Sequence, residues 1–259
     1  MQYGDRNWTQ IPDLASNVVV VPLGSLEQHG HHLPLLTDSM IGAEIVRRAE
    51  EALGDQAVFL PMLWLGASDH HRRFPGTISV SQNTYTQMLV DILESLIGSG
   101  FKRIFLLNSH GGNAMPGTAA VYEVQMRHRN ERDLWLVLGT WFALAAPQIA
   151  ALGGLEQKYV THASELETSM MLGLRPELVR REAARGANFP FRSAFYSPYS
   201  SRSSRVTVRR PFEHLSVTGA YGHPELGTTE KGEALFTVAV NEVVACVQEI
   251  ATWETIDPH

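Results

Sequence analysis

The chain has 259 residues, 44% of them hydrophobic and 19% charged, a balance that supplies one large core and argues against intrinsic disorder. Its formal net charge of −6, with the basic residues scattered rather than gathered in one stripe, argues against nucleic acid as a partner.

The N-terminal segment, with Asp5, Arg6, Asn7 and Gln10, is too polar for a signal peptide. No apolar run approaches ~20 residues, so the expectation is a soluble, cytoplasmic protein without a membrane span. Asn17 to Leu23 contains four consecutive valines. That run is too β-branched for a helix and too uniformly apolar for a half-exposed strand, which predicts a central strand buried on both faces. Helical spacing follows from Ile41 to Leu53, then a second strand from Ala57 to Met62 and a second helix from Thr84 to Gly98. A third strand spans Arg103 to Asn108, with Ile104 to Leu107 as its apolar centre. A helix runs from about Met115 through Arg129, and a fourth strand from Asp133 to Gly139. This alternation predicts a three-layer α/β/α sandwich with a mostly parallel central sheet and a ligand site at the carboxyl ends of its strands.

From Gly186 to Pro211 the composition turns to Ser, Arg, Tyr, Phe and Pro, which reads as a long loop serving as a cover, an interface arm or a disordered segment. The last pattern, Thr228 to Trp253, is a helix expected to pack on the sheet. Its Cys246, the only cysteine, reads as a buried small hydrophobe. Nothing marks a linker or a repeat, so residues 1–259 are expected to form a single domain.

Three motifs fall at strand ends. The first strand leads into Gly24-Ser-Leu-Glu27-Gln-His29-Gly-His-His-Leu-Pro-Leu-Leu-Thr-Asp38. A carboxylate, an imidazole two residues later and a second carboxylate after a turn can converge on zinc, manganese or iron, and an aspartate can bridge two ions ~3.5–4 Å apart. The competing reading is a polar loop that caps the next helix with Asp38. His31 and His32 are taken as surface residues. The third strand ends in Asn108-Ser-His110-Gly-Gly-Asn113, where two glycines let backbone approach a ligand. Three consecutive polar residues closing a desolvated strand favour His110 as a metal ligand; Asn113 orients substrate or caps the following helix.

The third motif is His162-Ala-Ser-Glu165-Leu-Glu167-Thr-Ser. On a helix, Glu165 and Glu167 point roughly 200° apart, so only one can face a given site. Geometry alone leaves the choice open, as it leaves open an acidic helix start that merely complements the dipole. Asp69, His70, His71, Arg72 and Arg73 form either a solvated loop or a pocket edge, and Trp141 reads as core or interface packing.

Together with Phe74-Pro-Gly-Thr-Ile-Ser, these motifs resemble the creatininase (creatinine amidohydrolase) family from Val18 to about Glu249. The resemblance implies an α/β hydrolase fold, two divalent metal ions (zinc, manganese or iron) and commonly a homohexamer. It assigns Glu27 and His110 to one ion, His29 to the other, Asp38 as the bridge and His162 as acid or base. Creatininase itself has a further carboxylate ligand two residues after the histidine matching His110, where this chain has Gly112. Glu167, in the better-matched Glu-Thr-Ser triplet, is expected to supply the missing ligand, with Glu165 in reserve.

The expected function is therefore a dinuclear metal hydrolase that cleaves a carbon–nitrogen bond of a small amide, cyclic amide or formamide by metal-hydroxide attack. The alternatives are a hydrolase of a cyclic sugar ketone or lactone, and a catalytically silent metal-binding assembly protein. Creatinine is not expected to be the preferred substrate. Where creatininase has a tryptophan four residues before the histidine matching His162, this chain has Lys158, which cannot stack on a flat ring.

Overall fold

A computed structural model describes residues 1–157, 160–187, 193–196 and 204–255. Four parallel strands, β1 (Val18–Leu23), β2 (Ala57–Phe59), β3 (Arg103–Asn108) and β4 (Trp135–Thr140), form one sheet in the order β2-β1-β3-β4. The register aligns Val19 with Val58 on one side and with Ile104 on the other, while Ile104 aligns with Leu136.

The four valines of β1 explain why it lies at the centre. Side chains alternate across a strand, so Val18 and Val20 enter one apolar layer and Val19 and Val21 the other, all with no solvent exposure. Each such burial contributes about 1.5–3 kcal/mol. On the Val18 and Val20 face lie α1 (Thr37–Leu53), α6 (Glu165–Leu174) and α7 (Thr229–Thr252); on the opposite face lie α2 (Gln82–Gly98) and α3 (Ala114–Arg127). The short helices α4 (Trp141–Leu144) and α5 (Ala146–Ala151) follow β4. The expected three-layer sandwich with a parallel sheet is what forms.

Several boundaries move. The second strand stops at Phe59 rather than Met62, because only Ala57 to Phe59 find ladder partners on β1. The first helix begins at Thr37, not Ile41, so Asp38 lies in its first turn and is not its cap. Ser81 caps α2 by accepting the Thr84 N–H, which starts that helix at Gln82. The fourth strand spans Trp135–Thr140 and is half-buried at the sheet edge. By length and composition α7 is apolar enough to cross a membrane, contrary to the sequence expectation, but here Leu235, Phe236, Ala239, Val243, Val247 and Ile250 pack into the core. Cys246 is only half-buried beside that core. Within 186–211 the described residues form neither helix nor strand.

Candidate metal centre

The carboxyl ends of β1 and β3 and the first turns of α1 and α6 deliver buried polar side chains to one place. Asp38 enters it because Ser39, its neighbour in α1, locks onto the β1 loop. The Ser39 hydroxyl donates to the Ser25 carbonyl (2.8 Å) and accepts the Ser25 N–H (3.1 Å), while the Ser25 hydroxyl donates to Asp38 Oδ2 (2.6 Å).

Asp38 divides its two oxygens between two histidines. Oδ1 lies 3.3 Å from His29 Nε2 and Oδ2 lies 3.0 Å from His110 Nδ1, which in turn lies 3.2 Å from Glu27 Oε1. His162 Nδ1 stands 3.6 Å from the same Glu27 oxygen. Each of these imidazoles ties its other nitrogen to a main-chain carbonyl, which can only accept. His29 Nδ1–H donates to Glu27 O (3.1 Å), His110 Nε2–H faces Ala67 O (3.4 Å) and Ser68 Oγ (3.2 Å), and His162 Nε2–H donates to Gln28 O (2.7 Å). The remaining nitrogens therefore present lone pairs to carboxylates, an arrangement that calls for a cation between them.

The charge balance makes the same demand. Glu27, Asp38 and Glu167 are buried, and among the described residues none pairs with lysine or arginine. Glu27 Oε2 is buried with no hydrogen-bond partner. Buried carboxylates left in this state are costly unless a proton or a cation compensates them. Without an ion, protons do so. Burial lowers the His29 imidazole, but the Asp38 carboxylate more than reverses this and lifts it to about 9. Burial pushes Glu167 up to about 7 against the pull of His29. Burial, then the charge on His29, hold His162 down at about 3. Ligand atoms of Glu27, His29 and Asp38 lie within 4.8 Å of one another, as do those of His29, His162 and Glu167. The residues fit a metal site.

The two glutamates of α6 separate. Glu167 enters the site and accepts the N–H of Ala163, whose φ of +50° is rare for a residue with a Cβ. Glu165 turns away, accepting from the main chain of Glu156 (3.1 Å) and Gln157 (2.6 Å) and from Lys231 Nζ (2.7 Å).

Four further residues differ from or extend the sequence reading. Asn113 makes no side-chain cap on α3; it staples the Gly24 carbonyl (2.9 Å) and the Ala67 N–H (2.9 Å). His32 is buried and bonded to Thr168 Oγ1 (3.0 Å), whereas His31 is exposed as expected. Trp141 is core. The Asp69 to Arg73 segment is not wholly solvated, because His71 is buried with Nε2 3.4 Å from Glu27 Oε1.

Sequence reasoning missed Gln28 altogether. Its side-chain amide donates to His71 Nδ1 (2.8 Å) and Gly219 O (2.9 Å), its main-chain carbonyl accepts from His162 Nε2, and Phe212 packs against both of those rings. Its place between Glu27 and His29 was the only available signal. Lys158 lies outside the described residues.

The creatininase family profile (creatinine amidohydrolase) matches residues 4–247. The chain belongs to the creatininase family. Among curated creatininase relatives, the mycofactocin precursor peptide peptidase of Mycobacterium tuberculosis (strain H37Rv) is 31% identical, covering 97% of this chain and 91% of its own. The creatinine amidohydrolase of Pseudomonas putida is 27% identical, covering 90% and 89%. The crystal structure of a creatininase superposes with a TM-score of 0.80 over 98% of both chains at 24% identity, which confirms the fold. A manganese form gives 0.77 over 96% and 97% at the same identity.

Proposed function

We propose that this creatininase-family enzyme is a dinuclear metal-dependent amidohydrolase. The observation that carries the reading is Asp38, which turns one oxygen to His29 and the other to His110 at the centre of a buried carboxylate cluster that, among the described residues, pairs with no lysine or arginine. Glu27, Asp38 and His110 would hold one divalent ion, and His29, Asp38 and Glu167 the other; zinc, manganese and iron all suit mixed oxygen and imidazole donors. Ions held there supply Lewis acidity toward a carbonyl oxygen and a water made acidic enough to ionise near neutrality.

The protein's own part is positioning and proton transfer. Gln28 O fixes the Nε2–H tautomer of His162, so that a neutral ring with a free Nδ1 faces the site. Held neutral, that nitrogen takes up a proton only transiently, as water attacks, and passes it on to the departing nitrogen of the amide. Phe212, edge-on to His162, closes one side of the ring to solvent. Ser25 holds Asp38 in place through its hydroxyl.

The substrate is proposed to be a small amide or a peptide, a choice supported by the peptidase relative at 31% identity and distinct from creatinine. The same reading expects a cytoplasmic homo-oligomer, a hexamer in the family's common form.

The test is elemental analysis of protein purified without chelator, followed by assay of the metal-replete enzyme on short peptides, formamides, cyclic amides including creatinine, and sugar-derived ketones. Two transition-metal ions per chain, with turnover of an amide or peptide, are expected. The best substrate should exceed creatinine by at least ~100-fold in kcat/KM. Creatinine as the best substrate would overturn the substrate assignment, and absence of bound metal would overturn the mechanism.

A further inference from the structure

We infer that His70 is an additional ligand of the metal ion seated between Glu27 and His110; the inference rests on the metal reading above. One donor atom from each of Glu27, His70 and His110 lies within 4.8 Å of the others. The His70 ring stacks on that of His110, with centroids 5.6 Å apart and planes 16° apart, which sets it beside that ligand. Among the described residues its ring nitrogens make no hydrogen bond. Its neighbour His71 is fully engaged, by the Gln28 amide at Nδ1 and by Glu27 at Nε2. Glu27 Oε2, buried and without a hydrogen-bond partner, offers the ion a further carboxylate oxygen.

Position 112 shows why the role falls to this residue. A Cβ there would stand 2.3 Å from the Ala67 carbonyl, 2.3 Å from His110 Nε2 and 2.9 Å from His70 Cε1. The backbone therefore admits only glycine, and no side chain at 112 can reach the ion. The His70 ring occupies the space beside it. The segment that carries it is pinned on both sides. Ala67 N–H donates to Asn113 Oδ1 (2.9 Å), Ser68 N–H donates to Ser79 Oγ (2.7 Å), and that hydroxyl donates to Asp69 Oδ1 (3.1 Å). A ring placed by so braced a turn is held for coordination rather than left to solvent. A second imidazole also shifts this ion's donor set toward nitrogen, which favours zinc, cobalt or iron over magnesium.

The test is titration of the metal-stripped full chain with cobalt(II), read by its visible absorption and by competition with a chromophoric chelator. Wild type is expected to take two ions. His70→Gln should bind one ion as wild type does and the other at least about tenfold more weakly, with a changed cobalt band for that ion. His70→Glu, which keeps a donor on the same backbone, should recover most of the lost affinity and serves as the measuring variant where His70→Gln does not fold. Two wild-type-like ions with an unchanged spectrum in His70→Gln would overturn the ligand role of His70 and leave the dinuclear reading standing. Failure of wild type itself to bind cobalt would instead overturn the parent reading, and this one with it.

Discussion

Glu165 and Glu167 sit two residues apart on α6, both buried, and their charges are answered in opposite ways. Glu165 has a built-in cation, Lys231 at 2.7 Å, and two main-chain donors, so its ionised form is complete within the protein. Glu167 has one main-chain donor and no basic side chain among the described residues, and it shares its surroundings with Glu27 and Asp38, which are equally short of cations. A buried carboxylate with its own lysine serves the fold; a group of them without one calls for an added positive charge, and so points to function. Changes on the two sides of α6 should accordingly separate into losses of metal and turnover on one side and losses of stability on the other.

The largest effect is expected at the centre of the cation-poor side. Asp38→Ala removes the carboxylate that gives one oxygen to His29 and the other to His110, so both ions and all measurable turnover should be lost. Retention of two ions by that variant, in elemental analysis, would falsify the bridging role. His162→Asn should come next, keeping both ions while turnover falls by ~10²–10⁴, the usual cost of a lost general acid or base. Loss of an ion from His162→Asn would make it a ligand, a role its free Nδ1 and its position beside His29 and Glu167 also permit geometrically.

The opposite side should respond through stability. Lys231→Met leaves Glu165 buried without its cation and should cost about 3–5 kcal/mol in denaturant unfolding, with metal content unchanged. Metal loss in this variant without loss of stability would erase the distinction between the two glutamates.

How much of this was legible in the sequence depended on the range of the interaction. The order of strands and helices was, because alternation and the four valines of β1 are local patterns that the sheet only has to satisfy. That Glu27, His29, Asp38 and His110 come together could be anticipated from the polar residues just past the ends of β1 and β3, although Asp38 itself lies in the first turn of α1. The opposed placement of Glu165 and Glu167 was foreseen from helical pitch, but which of them enters the site depends on Lys231, sixty-six positions away along the chain. The same limit hid Gln28, whose function is to bond His71, His162 and Gly219, and it hid the burial of His32 against Thr168. The stop of β2 at Phe59 was missed because ladder pairing is tertiary, and Leu60 to Met62 carry no breaking signal except Pro61.

The smallest effect sharpens the contrast at Glu167 itself. In the metal-free protein burial raises its carboxyl from the ordinary 4.5 to about 7, so the folded state binds this proton more tightly than the unfolded state does. Between those two values the folded state holds the proton and the unfolded state has released it. Stability from this group is therefore fully present below about 4.5 and is lost as pH rises through about 7, by roughly 3 kcal/mol at most. Glu167→Gln cannot release a proton, so its metal-free form should lose less stability than wild type when taken from pH 5 to pH 8 in urea. The metal-loaded comparison runs the other way: ion binding must displace the Glu167 proton, so wild type should release a proton there on loading, and Glu167→Gln should bind the second ion more weakly than Glu165→Gln does. Parallel pH profiles for wild type and Glu167→Gln, or weaker binding in Glu165→Gln, would move the cation-poor carboxylate to the other face of α6.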